Sequence, residues 1–270
     1  MMQIFNQAGK LMLETNNEGK VVKYSDISGK EKIPATELCE LCLRYGSDKC
    51  GNGYTKFYSQ FFDLIKDEVK KVLEIGVSAG FSLKMWRDYF KNAMIYGLDK
   101  KPDGLAGILP EKATELSDER TSVGFIDQSD EGKLNLIGPM LGNDFDLIVD
   151  DGSHKQRDQQ ISLAILFPLV KPGRYYVIED LVAADAIFSN PALRWDPTDT
   201  IFNDSTATFL GVAMEKNQWY SLFIGPDRMH YLAQNIEWIQ FCFGCSAGEP
   251  NANPYQWGGP ITVVIKKKDA

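Results

Sequence analysis

The stretch from Phe145 to Leu181, FDLIVDDGSHKQRDQQISLAILFPLVKPGRYYVIEDL, constrains the fold more than any other part of the chain. Phe145–Val149 is a short apolar run of β-prone residues, the signature of a buried strand. It delivers Asp150, Asp151 and His154 to the chain reversal that follows. From Gln156 to Leu169, apolar residues at 161, 163, 165, 166, 167 and 169 make one helical face. Pro172-Gly173 is expected to stop that helix, and Tyr175–Ile178 to form a second strand ending in Glu179-Asp180. A strand–helix–strand unit this short gives parallel neighbours, so both acidic strand ends lie on one edge of the sheet. Open α/β sheets bind ligands at that edge.

The chain upstream alternates in the same way. Val72–Ile75 reads as a strand, Gly76–Gly80 as a loop, and Ser82–Phe90 as a helix. Met94–Leu98 is a strand ending at Asp99, and Val123–Ile126 one ending at Asp127-Gln128. Downstream, a polar insertion runs from Leu181 to about Ser205, and a helix follows around Ala207–Lys216. Ile236–Phe243 and Ile261–Lys266 read as closing strands around the Gly/Pro/Asn-rich loop Cys245–Pro260. The alternation specifies a doubly wound α/β sheet. We divide the chain into a β-rich appendage at 1–35, a helical cap at 36–68 and a catalytic domain at 69–270. In the cap, Tyr54, Phe57, Tyr58, Phe61 and Phe62 have helix-compatible spacing. They read as core in preference to a lid that turns Ser47-Asp48-Lys49 toward a site.

Composition excludes several classes. A net charge of −8 argues against a nucleic-acid surface, which needs clustered Lys and Arg. The run Lys266–Lys268 reads as a solvated chain end. No apolar stretch is long enough to span a bilayer and the first residues lack a signal-peptide pattern, so the expectation is a cytoplasmic protein. Cys39/Cys42 and Cys242/Cys245 have zinc-ligand spacing, but the first pair lies on an apolar helix face and reads as buried thiols.

Glu74-x-Gly76-x-x-x-Gly80 follows a strand and opens a helix, where glycine allows close backbone approach and the helix N-terminus favours anionic groups. The GxGxxG spacing of dinucleotide folds is absent, which disfavours a nicotinamide dehydrogenase. The loop suits a nucleoside with an amino-acid tail. Asp99, 23 positions beyond Gly76, stands where a carboxylate accepts bonds from ribose hydroxyls. Asp127 and Gln128 are placed to read an adenine edge.

LEIGVSAG, YGLDK and FIDQSD resemble the cofactor motifs of class I S-adenosylmethionine methyltransferases. YGSDKCGNGYTKFY, IVDDGSH and LFPLVKPGRYYVIEDL are similar to segments of the macrolide-sugar O-methyltransferases, the mycinamicin and macrocin group, over about Gly46 to Cys242. The resemblance implies a mostly parallel seven-stranded, Rossmann-like sheet. It implies S-adenosylmethionine and Mg²⁺, or another divalent ion, as cofactors, and a small sugar-containing acceptor. It also implies Asp151, Glu179 and Asp180 as metal ligands and His154 as the base. Carried over more loosely are Glu74, Gly76, Gly80, Asp99, Asp127, Gln128 and Asp150 as cofactor contacts. The insertion after Leu181 and the loop Cys245–Pro260 depart from the macrolide pattern, and the long N-terminal domain of some relatives is missing. Oligomeric state is left open.

The chemistry wants such residues. A hard divalent ion on carboxylates orients vicinal hydroxyls and lowers the pKa of the one that reacts. A histidine at the start of a helix is kept neutral by the helix dipole and accepts the proton. Two rival readings stand beside this one: a methyltransferase of catechol-like phenols, and a cofactor-binding module without turnover. His230 has no comparable partners in sequence and reads as structural.

Overall fold

The computed structural model describes residues 36–102, 107–181, 205–243 and 261–270, together with the backbone of three short strands before them. Those strands, β1 (Gln3–Phe5), β2 (Leu11–Thr15) and β3 (Val21–Tyr24), pair antiparallel in chain order. The insertion after Leu181 and the loop Cys245–Pro260 lie outside the described residues, as does Cys245.

The cap segment forms α1 (Glu37–Tyr45) and α2 (Tyr54–Phe62). Thr36 caps α1, its hydroxyl accepting from the Cys39 amide, and Gly46 ends it with φ +77°. Ser47 then starts a 3₁₀ turn over Asp48–Cys50, which leads directly into α2. Cys39 and Cys42 are buried on α1; the Cys39 thiol lies 3.1 Å from the Thr55 hydroxyl and that of Cys42 donates to the Ser47 carbonyl.

The alternating region gives β4 (Lys71–Ile75), α3 (Phe81–Tyr89), β5 (Met94–Asp99), α4 (Pro110–Leu116) and β6 (Thr121–Phe125). Two short helices, α5 (Glu131–Leu134) and α6 (Ile137–Leu141), precede β7 (Phe145–Asp150). Next come α7 (Gln156–Leu166) and β8 (Val170–Ile178). The chain closes with α8 (Thr206–Lys216), α9 (Pro226–Asn235), β9 (Ile236–Phe243) and β10 (Ile261–Lys267). The seven-stranded sheet has the order β6-β5-β4-β7-β8-β10-β9. The first five strands in that order are parallel, and β10 runs antiparallel to both β8 and β9.

Both faces of the sheet are covered, as parallel strands require. Alternate residues divide between two cores. Leu73, Ile148, Tyr176 and Ile178 join α7, α8 and α9 on one face. Val72, Leu147, Val149 and Val177 meet α1, α2 and α3 on the other, where Trp86, Tyr54, Tyr58 and Tyr89 are the largest buried side chains. The period of two places Glu74 on this second face, fully buried.

One local expectation fails. Pro172-Gly173 does not end the helix; it lies within β8. The helix ends earlier, in a 3₁₀ turn over Phe167–Leu169 that contains Pro168. Gly173 takes φ +73° inside the strand, and its amide donates to the Lys268 carbonyl (3.2 Å). The β7–β8 register shifts nearby, between Phe145 and Leu147, so the dipeptide makes an irregularity in a strand instead of a chain reversal. No described helix is long and apolar enough to cross a membrane.

Candidate active site

The parallel strands all end on one edge, and β4 stands between β5–β6 on one side and β7–β8 on the other. Backbone bonds extend the ladder past the strand ends: Gly76 donates to Leu98, Asp151 to Ile75 and Glu179 to Asp150, at 2.8, 2.9 and 2.9 Å. The loops carrying the predicted residues are therefore fixed against one another.

On the β5 side, Asp99 is tied to the glycine loop. Its Oδ2 accepts from the amides of Val77 and Ser78, both at 2.9 Å, and its Oδ1 from that of Lys100. Gly76 has φ +88°, and a Cβ there would lie 1.9 Å from the Asp151 carbonyl oxygen, so the loop and the β7 turn touch through backbone alone. Gly80, φ +78°, stands at the N-terminus of α3. Asp127 is exposed beyond β6, and bonds from Ser129 hold its carboxyl below the usual range.

Gln128 and Asp150 form a separate buried pair. The Gln128 amide nitrogen donates to both Asp150 oxygens, at 2.7 and 2.8 Å, while its carbonyl accepts from the Ser153 amide. Burial pushes the Asp150 carboxyl up to about 7, with the Gln128 bonds opposing. A Cβ on Gly152 would meet the Gln128 carbonyl oxygen at 2.3 Å, so this turn needs glycine to pass the clamp.

On the β8 side, ligand atoms of Asp151, His154 and Asp180 lie within 4.8 Å of one another. Among the described residues this is the one such group that could hold a metal ion. His154 Nε2 is 3.7 Å from Asp180 Oδ2. His154 and Asp180 have φ of +58° and +52°, and Ser78 in the glycine loop has +47°. Left-handed backbone at non-glycine residues costs on the order of 1–3 kcal/mol each and collects at functional sites. The Asp151 and Asp180 carboxylates fit a divalent cation, with the His154 imidazole beside them.

Glu179 points elsewhere. Its Oε2 accepts from Lys49 Nζ at 2.7 Å and its Oε1 from the Tyr58 hydroxyl at 2.9 Å. The same ammonium lies 2.6 Å from Asp151 Oδ2 and 3.3 Å from Glu74 Oε1, and Glu74 Oε2 accepts from Ser82. Burial raises the pKa of Asp151, Glu179 and Glu74, and Lys49 pulls each back. Burial alone would lower the Lys49 pKa, but the three carboxylates outweigh it and keep the amine charged. Tyr54 donates to Asp180 Oδ1 at 2.7 Å. Tyr54 and Tyr58 are site residues that the sequence reading left in the core, and Lys49 reaches the site as the disfavoured lid reading had it. Their signal was the DKC turn, which set a lysine five positions before a tyrosine pair spaced four apart.

The sheet order, the glycine loop at β4 and the acidic strand ends define the Rossmann-like methyltransferase fold. The solved structure of MycE methyltransferase from the mycinamycin biosynthetic pathway, in complex with Mg, SAH and mycinamycin VI, matches with a TM-score of 0.62. It is 26% identical, over 87% of this chain and 55% of that one. Among curated proteins, the mycinamicin VI 2''-O-methyltransferase of Micromonospora griseorubida is 37% identical over 157 residues, 55% of this chain and 37% of its own. The 8-demethyl-8-alpha-L-rhamnosyl tetracenomycin-C 2'-O-methyltransferase of Streptomyces olivaceus is 32% identical over 182 residues, 64% of this chain and 43% of its own. The chain thus spans less than half the length of these curated relatives and 55% of the solved MycE chain. No protein-family model matches it.

Proposed function

We propose that this chain is an S-adenosylmethionine-dependent O-methyltransferase that needs a divalent ion, Mg²⁺ foremost, and methylates a sugar hydroxyl of a glycoside or nucleotide-linked sugar. The observation that carries the reading is the convergence of Asp151, His154 and Asp180 one backbone contact away from the Gly76 loop. The names of the relatives, an O-methyltransferase of a rhamnosyl tetracenomycin and one of mycinamicin VI, support the acceptor class.

In this reading Gly76, Gly80 and Asp99 form the cofactor cradle, with Asp99 holding the loop amides and the α3 N-terminus nearby. Glu74, Asp127, Gln128 and Asp150 support it from the neighbouring strand ends. Asp151 and Asp180 would hold the ion, and Glu179 would join them by giving up its Lys49 bond; the ion would supply a Lewis acid that lowers the pKa of an acceptor hydroxyl. His154 takes the proton. The acceptor oxygen attacks the methyl carbon of the sulfonium in line, the carbon–sulfur bond breaks with its electron pair returning to sulfur, and the hydroxyl proton passes to the imidazole. Lys49, Tyr54 and Tyr58 cover Glu179 and the inner side of the cluster, while Asp151, His154 and Asp180 stay partly exposed to an incoming acceptor. Residues 69–270 make up the catalytic unit.

Incubation with radiolabelled S-adenosylmethionine and Mg²⁺ across sugar-containing and phenolic acceptors tests this. Label in glycosides alone supports the reading. Label only in catechols would replace the acceptor class, and none in any acceptor would favour a binding module.

A further inference from the structure

The side chain of Lys49 is 1% exposed, and its ammonium sits between the carboxylates of two neighbouring strand ends. It lies 2.6 Å from Asp151 Oδ2, after β7, and 2.7 Å from Glu179 Oε2, after β8, with Glu74 Oε1 at 3.3 Å. Asp180, the remaining acid, is held differently. A neutral donor, the Tyr54 hydroxyl, bonds its Oδ1, while its Oδ2 faces His154. The acids therefore divide. Glu74 and Glu179 lie on the lysine side, Asp180 and His154 on the open side, and Asp151 is shared.

We propose that Lys49 is a resident cation of this cluster, a positioning residue that competes with the divalent ion for Asp151 and Glu179 and so sets how tightly the ion is held. The proposal rests on the metal-dependent reading above. A divalent ion that reaches Asp151 and Glu179 together must take oxygens on which the ammonium already sits, against the repulsion of like charges in a dry site. An ion reaching Asp151 and Asp180 pays only part of that cost. Lys49 thus weakens binding, yet without it four carboxylates would face one another with no fixed counter-charge. That trade makes the ion exchangeable while the acids stay in register.

The test compares wild type with Lys49→Met, which keeps length and loses charge. Mn²⁺ affinity is read by electron paramagnetic resonance, with Mg²⁺ as competitor, and melting temperature with and without ion. Lys49→Met should bind Mn²⁺ on the order of tenfold more tightly. It should melt lower than wild type in chelator and recover most of the loss when Mn²⁺ is added. The double variant Lys49→Met/Glu179→Gln restores the net charge of the cluster. It should melt above Lys49→Met in chelator and bind Mn²⁺ within about threefold of wild type, which keeps the test alive if the single variant does not fold. Binding by Lys49→Met that is unchanged or weaker than wild type overturns the role of Lys49 while leaving the metal reading intact. Binding by Lys49→Met but not by wild type overturns the metal reading and leaves the role standing. No binding by either overturns both. A double variant that melts no higher than the single one also counts against the proposal.

Discussion

Lys49 Nζ and Asp151 Oδ2 meet at 2.6 Å across 102 positions of chain, and this contact joins the cap to the catalytic edge. A charge buried this deeply persists only when paired, so the contact fixes the 3₁₀ turn at Asp48–Cys50 over the strand ends. Tyr54 and Tyr58, one helical turn apart on α2, add bonds to Asp180 and Glu179. Core packing and site support are here the same residues. The aromatic bodies of Tyr54 and Tyr58 fill the space under α3 while their hydroxyls reach the acids.

Tyr58→Phe isolates one of these bonds. The ring stays in place, but Glu179 Oε1 loses its donor and the Thr262 hydroxyl, 2.8 Å away, loses a neighbour. Leaving a buried carboxylate oxygen short of a donor costs about 1–3 kcal/mol. The urea midpoint should fall accordingly with the slope unchanged. A variant as stable as wild type would mean that Lys49 alone satisfies Glu179.

Gly76→Ala asks whether the backbone contact between the two halves of the site matters. The added methyl would stand 1.9 Å from the Asp151 carbonyl oxygen on a residue with φ +88°, so either the loop or the β7 turn must move. Affinity for the demethylated cofactor product should drop more than about tenfold by calorimetry, a loss above 1.4 kcal/mol. Gly211→Ala is the control. Nothing lies within 4 Å of its added Cβ, it is inside α8, and it should gain about 0.5–1 kcal/mol. Equal affinities for wild type and Gly76→Ala would contradict the geometry.

The alternation of apolar strand and amphipathic helix made the parallel sheet legible, because a central strand with both faces buried leaves an unbroken run such as FDLIV. The acids at the strand ends were legible for the same reason, since their place follows from where each run stops. Pro172-Gly173 was misread because a glycine at positive φ serves a bulge as well as a turn, and only the β10 neighbour, whose Lys268 carbonyl receives its amide, decides between them. Lys49 was named only in the disfavoured lid reading, for another reason. Its hydrogen-bond partners Asp151 and Glu179 lie more than 100 positions away, and little in the local sequence distinguishes a lysine bound for the core from one in water. Gln128 and Asp150 were placed at the right edge, yet the structure turns their polar groups toward each other, a pairing that no spacing rule announces.

His154→Asn tests the proposed base. Asparagine tolerates the left-handed backbone that His154 adopts at φ +58°, so the turn should survive the change. Removing a general base lowers turnover typically by about 10²–10⁴-fold. Cofactor binding should stay within about twofold, because the glycine loop and Asp99 that form the cradle are left unchanged. Turnover within a factor of a few of wild type would assign the proton to another group.

Asp150 links the fold to pH. Its carboxyl sits fully buried, and its pKa stands at about 7 against an ordinary 3.8, chiefly through burial. The folded state therefore holds a proton that the unfolded chain releases at lower pH. Stability from this group is complete below about pH 4, declines as pH rises toward 7, and is gone above it. The span corresponds to at most about 4 kcal/mol, at 1.36 kcal/mol per unit. Asp150→Asn keeps an acceptor for the Gln128 amide and cannot ionise, so its stability should not fall across that window. Urea midpoints in chelator at pH 5 and pH 8 decide the matter. Wild type should lose more stability than Asp150→Asn between the two, and parallel losses would show that the Gln128 bonds keep Asp150 ionised throughout.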